Sequence, residues 1–506
     1  MASTVTGAVP ATTEAKISGR KERVVILGSG WAGYAFARTL DPRKYERIMV
    51  SPRSYFVFTP LLAGTAVGTL EFRAVIESVR KLHLDDYYQG WADDIDLARK
   101  VIRVEANTSD DLTSRTTTPL PQIPPRKEPQ QTEKGPTFDV PYDKLVIAVG
   151  AYAQTFGIEG VKEHANFLRN VGDARKIRMK ILQCFEKASL PITTDEERRK
   201  LLHFAVVGGG PTGIEFAAEL HDLVRDDLRR IYPSLADFVN ITVYDVAPKV
   251  LPMFDQKLAQ YAMDVFRRER IAVKTEHHLT RVRPDDDCAG CLRLQFKEYG
   301  DEEIGAGIVV WSTGLMQNPL IQKLAAAKVT ETQTQTGEPL PDTAEGAVMR
   351  LQHDEKTGGL VTDSRLRVTT VPHAPPGKPG ESGRGQDVGV LPDVYCIGDC
   401  AVVAGQRYPA TAQVASQQAA YLAKQLNKGP ADADARPFRF RNWGVMTYLG
   451  SWRAIHQSSA DELTGRAAWF LWRTAYLTKS MSIRNKIMVP VYWAISFFFG
   501  RDVSRF

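Results

Sequence analysis

The chain has 506 residues, 43% hydrophobic and 25% charged, which excludes a disordered polypeptide and exceeds what one core can bury. Its five cysteines, Cys184, Cys288, Cys291, Cys396 and Cys400, are too few for a disulfide scaffold, and the missing secretory signal points to a reducing compartment. The net charge of +6 is carried by the segment from Arg466 onward, where seven bases meet one acid; 58 bases and 58 acids precede it.

Residues 1–22 are rich in Ala, Ser and Thr and read as a disordered tail or a weak transit segment, since Glu14 and Glu22 oppose Lys16, Arg20 and Lys21. Residues 23–172 form the first predicted unit. The apolar strand Arg23 to Leu27 runs into Gly28-Ser29-Gly30-Trp31-Ala32-Gly33, and a helical pattern follows from Tyr34 to Leu40. Strand, G-x-G-x-x-G and helix together are the dinucleotide fingerprint. The first glycine makes the turn, the second lets a pyrophosphate approach the backbone, and the third lets helix and strand pack. The helix N-terminus then offers free N–H groups to the anion. A second strand, Arg47 to Val50, ends at Ser51, Pro52 and Arg53, where an acid for the ribose usually stands. A Pro-rich stretch, 107–142, reads as an excursion before the buried strand Lys144 to Val149 and its turn at Gly150.

Residues 173–316 repeat the design. The strand His203 to Val207 leads into Gly208-Gly209-Gly210-Pro211-Thr212-Gly213, and a helix follows from Ile214 to Leu223. The strand Ile241 to Tyr244 ends at Asp245, whose carboxylate suits two ribose hydroxyls and repels a 2′-phosphate, so NADH is favoured over NADPH. The unit closes on Ile308 to Gly314, in parallel with the strand ending at Gly150. Residues 317–430 contain two loops without pattern, near 331–345 and 372–389, and the strand Val394 to Ile397 with its turn Gly398-Asp399. Beside two fingerprints, Gly398 and Asp399 are expected to touch the flavin side of the pair. The predicted class is therefore α/β, with two Rossmann-type dinucleotide-binding domains, and two nucleotides in one chain suggest FAD reduced by NADH.

Residues 431–506 form the last region. From Arg466 the bases interleave with Trp469, Phe470, Trp472, Tyr476, Trp493 and Phe497 to Phe499. This mixture suits an anionic membrane surface. A helix docked on the chain's own core or on a partner subunit is the competing reading, and nucleic acid is disfavoured by the run of Phe. The apolar run 487–499 contains Pro490 and is shorter than a span, so it is expected to lie on a membrane. Gln413 and Gln417, four apart, share a helix face whose amides can bond quinone carbonyls without titrating. Cys288 and Cys291 stand among Asp285, Asp286 and Asp287 and read as a surface loop of blunted thiols. His277 and His278 read as a strand edge, and no metal site is expected.

Several stretches resemble type II NADH:quinone oxidoreductases, the alternative, non-pumping NADH dehydrogenases, fungal members included. Ser51 to Leu62 is similar to the segment that follows their first unit, which implies that Thr59 and Pro60 touch the flavin. Gly210 to Glu215 is similar to their nicotinamide loop, which implies Glu215 beside the nicotinamide. Pro409 to Gln418, with Ala412, Gln413 and Gln417, is similar to their helix under the flavin ring and beside the quinone. Some fungal members have His where Ser416 stands, so the resemblance assigns Ser416 no proton role. By the same resemblance the segment 466–506 is a membrane anchor, the acceptor is ubiquinone, and the site is peripheral on the mitochondrial inner membrane, on either face. The weak N-terminal signal leaves a cytoplasmic fraction open, and homodimer formation is open too. The alternative is a soluble NAD(P)H oxidoreductase like apoptosis-inducing factor or ferredoxin reductase, or a redox-sensing protein, which would carry a folded C-terminal β domain. A nucleotide-binding interaction protein without catalysis is a third reading, and it would be colourless.

Overall fold

The computed structural model describes residues 20–107, 135–330, 348–372, 389–429, 436–480 and 482–505. Most of the expected N-terminal tail and both patternless loops therefore lie outside the described residues.

The first nucleotide unit is built around the parallel strand Glu22–Leu27, flanked by Tyr45–Ser51 and Lys144–Ile147. Val24 to Leu27 are fully buried, as expected of a strand covered on both faces. Lys144–Ile147 pairs in turn with Gly389–Cys396, also in parallel. The chain thus leaves this sheet, builds the second unit, and returns to complete the first. The second unit has a five-stranded parallel sheet with His203–Val207 at its centre, between Asn240–Tyr244 and Ile308–Trp311. In both sheets the glycine turn leaves the carboxyl end of the central strand, where α/β sheets bind ligands.

The Pro-rich stretch is not wholly an excursion. Thr137–Pro141 pairs antiparallel with Val101–Ala106, so its ends form a ribbon on the first sheet, while 108–134 lie outside the described residues. The long link between the second fingerprint and Asp245 has a physical account. Helix Pro211–Leu223 continues through a π-helical turn, Val224–Leu228, and a 3-10 stretch, Pro233–Phe238, before the strand Asn240–Tyr244 begins.

The C-terminal region opens with a three-stranded antiparallel sheet, Val445–Gly450, Arg453–Gln457 and Glu462–Thr464, ahead of the aromatic and basic stretch. Helices Gly465–Lys479 and Ile483–Phe499 follow. Among the described residues no helix is long and apolar enough to cross a membrane. The region divides its apolar residues between two faces. Trp472, Val489 and Trp493 are buried in the core shared with the nucleotide units, whereas Ile483, Ile487, Phe497, Phe498 and Phe499 are exposed.

Candidate active site

The two glycine turns show one geometry twice. Gly28 and Gly208 have φ of 103° and 116°, which favours glycine. A Cβ on Gly33 or Gly213 would overlap the carbonyl oxygen of Gly28 or Gly208, so the helices Trp31–Thr39 and Pro211–Leu223 start hard against their turns. Gly30 and Gly210 face open space. Each therefore leaves room for a pyrophosphate at a helix N-terminus.

The turns differ in what stands beside them. Asp245 accepts the N–H of Gly209 and that of Ala247, the latter at 2.7 Å, so its carboxylate borders the second turn. In the first unit Ser51 Oγ lies 2.9 Å from Ser29 Oγ, and Ser29 donates to the Arg53 carbonyl at 3.1 Å. A hydroxyl pair thus replaces the acid and ties the strand end to the fingerprint. Trp31 Nε1 donates to Thr59 Oγ1 at 3.0 Å, which fixes Thr59 and Pro60 at the head of the first helix. Gly398 donates its N–H to Gln418 Oε1 at 2.7 Å. Gly150 turns the chain at positive φ, and at Gly314 a Cβ would press on the Phe156 ring.

Arg169 is a site residue that the sequence reading missed. It is half-buried, within electrostatic reach of Asp399, Arg53 and Asp173. Burial raises the Asp399 carboxyl, and Arg169 opposes that shift. Arg53 Nε and Arg169 Nη1 have no hydrogen-bond partner among the described residues. Two buried guanidinium donors beside the open first turn fit an anionic, polyhydroxylated group such as FAD. Arg169 gives no local signal, because 230 residues separate it from Asp399.

The two units face each other across a cavity of about 220 Å³, whose walls include Thr59 and Pro60 from the first, Pro211, Thr212 and Glu215 from the second, and Tyr476 from the C-terminal region. Glu215 is buried, and its Oε1 accepts from Tyr448 N–H at 3.1 Å and Trp472 Nε1 at 3.2 Å. Burial pushes its carboxyl up to about 8, those two donors pull it down, and Glu219 adds to the rise. At neutral pH it is a proton-holding acid facing a cavity.

Gln413 and Gln417 do share a face of helix Ala412–Lys428. Their amides have another occupation. Gln413 donates to the Gly444 carbonyl at 2.8 Å and accepts from Trp443 N–H at 3.2 Å. Gln417 exchanges two bonds of 2.9 Å with the backbone of Arg441. Together they hold the strap 441–444 that leads into the C-terminal sheet.

Other expectations need correction. Cys288 and Cys291 are not surface thiols: both are buried and joined in a disulfide. The neighbouring Asp285 is also buried, paired with Arg293 at 2.8 Å and Lys200 at 3.6 Å. Charge pairing lets that acidic loop fold inward. His277 and His278 directly precede the strand Leu279–Pro284, bonded to Tyr299 and Glu298. No His, Cys, Asp or Glu cluster suited to a metal occurs among the described residues.

Two Rossmann-type units sharing one cavity define a flavoprotein that holds two dinucleotides. Residues 22–339 match the family model described as pyridine nucleotide-disulphide oxidoreductase, and residues 443–502 match the NDH2 C-terminal domain. The chain is 36% identical to a probable NADH dehydrogenase of Dictyostelium discoideum over 96% of this chain and 91% of that protein. It is 33% identical to a mitochondrial internal alternative NAD(P)H-ubiquinone oxidoreductase of Solanum tuberosum, over 97% of this chain and 90% of the relative. Its fold is similar to that of NDH2 from Plasmodium falciparum in complex with NADH, with TM-score 0.76, 24% identity, and coverage of 96% and 100% of the two chains. The chain belongs to the pyridine nucleotide-disulphide oxidoreductases and, within them, to the type II NADH dehydrogenases.

Proposed function

We infer that this protein is an NADH:quinone oxidoreductase using FAD, with ubiquinone as acceptor, and that it moves no protons across the membrane. The observation that carries this reading is the shared cavity, where the first unit's Thr59 and Pro60 meet the second unit's Pro211, Thr212 and Glu215. FAD, when bound, supplies a centre that takes a hydride from NADH and returns two electrons to a quinone. Gly28 to Gly33, Arg53, Gly150, Arg169, Gly398, Asp399 and the start of the helix at Ala412 would hold FAD. Gly208 to Gly213, Asp245 and Gly314 would hold NADH. Glu215 would retain a proton beside the reacting groups and release it to quinone. Gln413 and Gln417, through the strap 441–444, would position the quinone side of the cavity.

The exposed row Ile483, Ile487, Val491 and Ile495 with Phe497 to Phe499, beside Arg484 and Lys486, supports peripheral attachment to an anionic bilayer. Relatives named mitochondrial support a mitochondrial place, and we read the membrane as the inner one. The apoptosis-inducing-factor-like alternative is not favoured, because the C-terminal sheet has three strands and ends in two helices.

An anaerobic titration tests the reading. NADH should bleach the flavin of the purified protein, and a short-chain ubiquinone should restore the colour. A colourless protein, or a reduced flavin that quinone leaves unchanged, would overturn it.

A further inference from the structure

Helix Pro211–Leu223 carries Glu215 and Glu219 one turn apart, both buried and both lining a second cavity of about 10 Å³ with Thr69, Tyr448 and Trp472. That volume, with two carboxyls and the Thr69 side chain in an otherwise largely apolar wall, is about the space of one water molecule. Two carboxyls thus share one small enclosed space, and their surroundings differ in charge. Glu215 receives only neutral donors, the N–H of Tyr448 and the indole of Trp472. Glu219 Oε2 accepts from Thr69 Oγ1 at 2.8 Å, and that same Oγ1 accepts from Arg501 Nε at 3.0 Å. Arg501 is fixed in turn by Asp227, through Nη1 at 2.7 Å and its own N–H at 3.0 Å. It follows Gly500, where a Cβ would press on the Asp227 carboxylate, and the exposed run Phe497 to Phe499 stands just before.

We propose that Arg501 is a positioning residue for the Glu215–Glu219 pair: through Thr69 it keeps Glu219 as the charged member, so that Glu215 holds the proton beside the main cavity. The inference rests on the reading of Glu215 given above. Reduction of a quinone by NADH consumes one proton from solution besides the hydride. The hydride from NADH would account for the two electrons and one of the two quinol O–H hydrogens; for the other, the Glu215 O–H bond would break as the second quinol O–H bond forms, and the carboxylate would take its proton back from solution.

The groups that face Glu219 from each packed element are few. Its own helix brings Glu215 and Asp222, the first unit brings Thr69, the C-terminal sheet brings Tyr448, and the last two segments bring Arg473 and Arg501. Arg473 lies between the rings of Trp469 and Trp493, at 4.6 and 4.1 Å from their centres, and its Nε has no hydrogen-bond partner among the described residues. Arg501 is the cation with a hydrogen-bonded route to Glu219. Burial raises the Glu219 carboxyl, and Arg501, Thr69 and Arg473 oppose that rise. For Glu215 no cation opposes it.

The test follows the pH dependence of flavin reoxidation by a short-chain quinone in the holoenzyme. Alongside it, the carboxylic C=O band is read by infrared spectroscopy in the oxidised protein without NADH. Arg501→Gln removes the charge that keeps Glu219 ionised, so Glu219 takes the proton, Glu215 loses the neighbouring charge that raises it, and the alkaline limb should move down by about one pH unit while the C=O band persists to higher pH. Arg501→Lys should keep the wild-type limb. Glu219→Gln should also move it down, and adding Arg501→Gln to Glu219→Gln should move it no further, which loss of a merely structural contact would not do. Thr69→Val leaves the Arg501–Asp227 pair intact and should move the limb down by less, which keeps the test open if Arg501→Gln does not fold. An unmoved limb in Arg501→Gln, or in Thr69→Val where the first is unfolded, overturns the proposal. Glu215→Gln separates the two levels: if it abolishes the limb, the reading of Glu215 stands whatever Arg501 does, and if it leaves the limb, both fall.

Discussion

The nucleotide units and the C-terminal region use apolar residues in opposite ways. In the units an apolar run means one thing, a strand covered on both faces: Val24 to Leu27 and Phe204 to Val206 are fully buried. In the C-terminal helix Ile483–Phe499, Val489 and Trp493 face the core, while Ile487, Val491 and Ile495 face outward. Charge divides the same way. Arg501 is paired inward with Asp227 at 2.7 Å and Arg473 is packed between tryptophans, whereas Arg484 and Lys486 are exposed. A composition that reads as a surface anchor is therefore also a wall of the active site.

The largest effect should come from removing residues 466–506. If the region were only an anchor, the remainder would still reduce a soluble quinone. Since Trp472, Tyr476 and Trp493 are built into the shared core and cavity, the truncated chain should lose flavin and both half-reactions, as visible absorbance and NADH bleaching would report. Trp472→Ala alone should cost about 3–5 kcal/mol of stability in denaturant melts.

Glu215→Gln sharpens the division of labour inside the cavity. Bleaching by NADH should stay within about threefold of wild type, while reoxidation by quinone falls by about 100-fold, in the range of a lost general acid. Equal losses in both steps would assign Glu215 to the nicotinamide side. The same variant probes stability. The folded Glu215 carboxyl is raised to about 8 from an ordinary 4.5, so the native state binds that proton more tightly than the unfolded chain. Its stabilising contribution is complete in acid and is lost as pH rises through about 8. Glu215→Gln should flatten that part of the Tm–pH curve.

Within the units the contrast between Ser51 and Asp245 gives a smaller effect. Asp245→Ser removes the carboxylate that repels a 2′-phosphate, and the NADPH/NADH ratio of kcat/KM should rise by about tenfold. A wild-type enzyme that already uses both equally would remove the basis for this assignment. The smallest effect is expected at Gln413. Gln413→Leu leaves the Gly444 carbonyl and the Trp443 N–H without their partner, so melting should show a loss of about 1 kcal/mol, with slower quinone reoxidation as the strap 441–444 loosens.

Much of this was legible in the sequence because the signals are local. Each strand, glycine turn and helix occupies one continuous stretch, and Asp245 stands where its strand ends. The family stretches likewise place Thr59, Pro60 and Glu215, which the fold brings to one cavity. What escaped depends on distant partners. Arg169 acquires its meaning from Asp399, and Arg501 from Thr69 and Asp227. Gln413 and Gln417 read as an open amide face because nothing in their helix reveals that backbone 441–444 would cover it. The acids around Cys288 suggested exposure, yet Lys200 and Arg293 neutralise Asp285 and let the loop turn inward.

The claim that one segment is both anchor and active-site wall is tested most directly by the triple variant Phe497→Ser, Phe498→Ser, Phe499→Ser. Vesicle co-sedimentation and turnover of a short-chain quinone should be measured on the same preparation. Because these rings are exposed and Trp472, Trp493 and Arg501 are untouched, the variant should leave anionic vesicles yet keep soluble-quinone turnover within about twofold of wild type. A variant that stays on the vesicles, or that loses both properties together, would contradict the account.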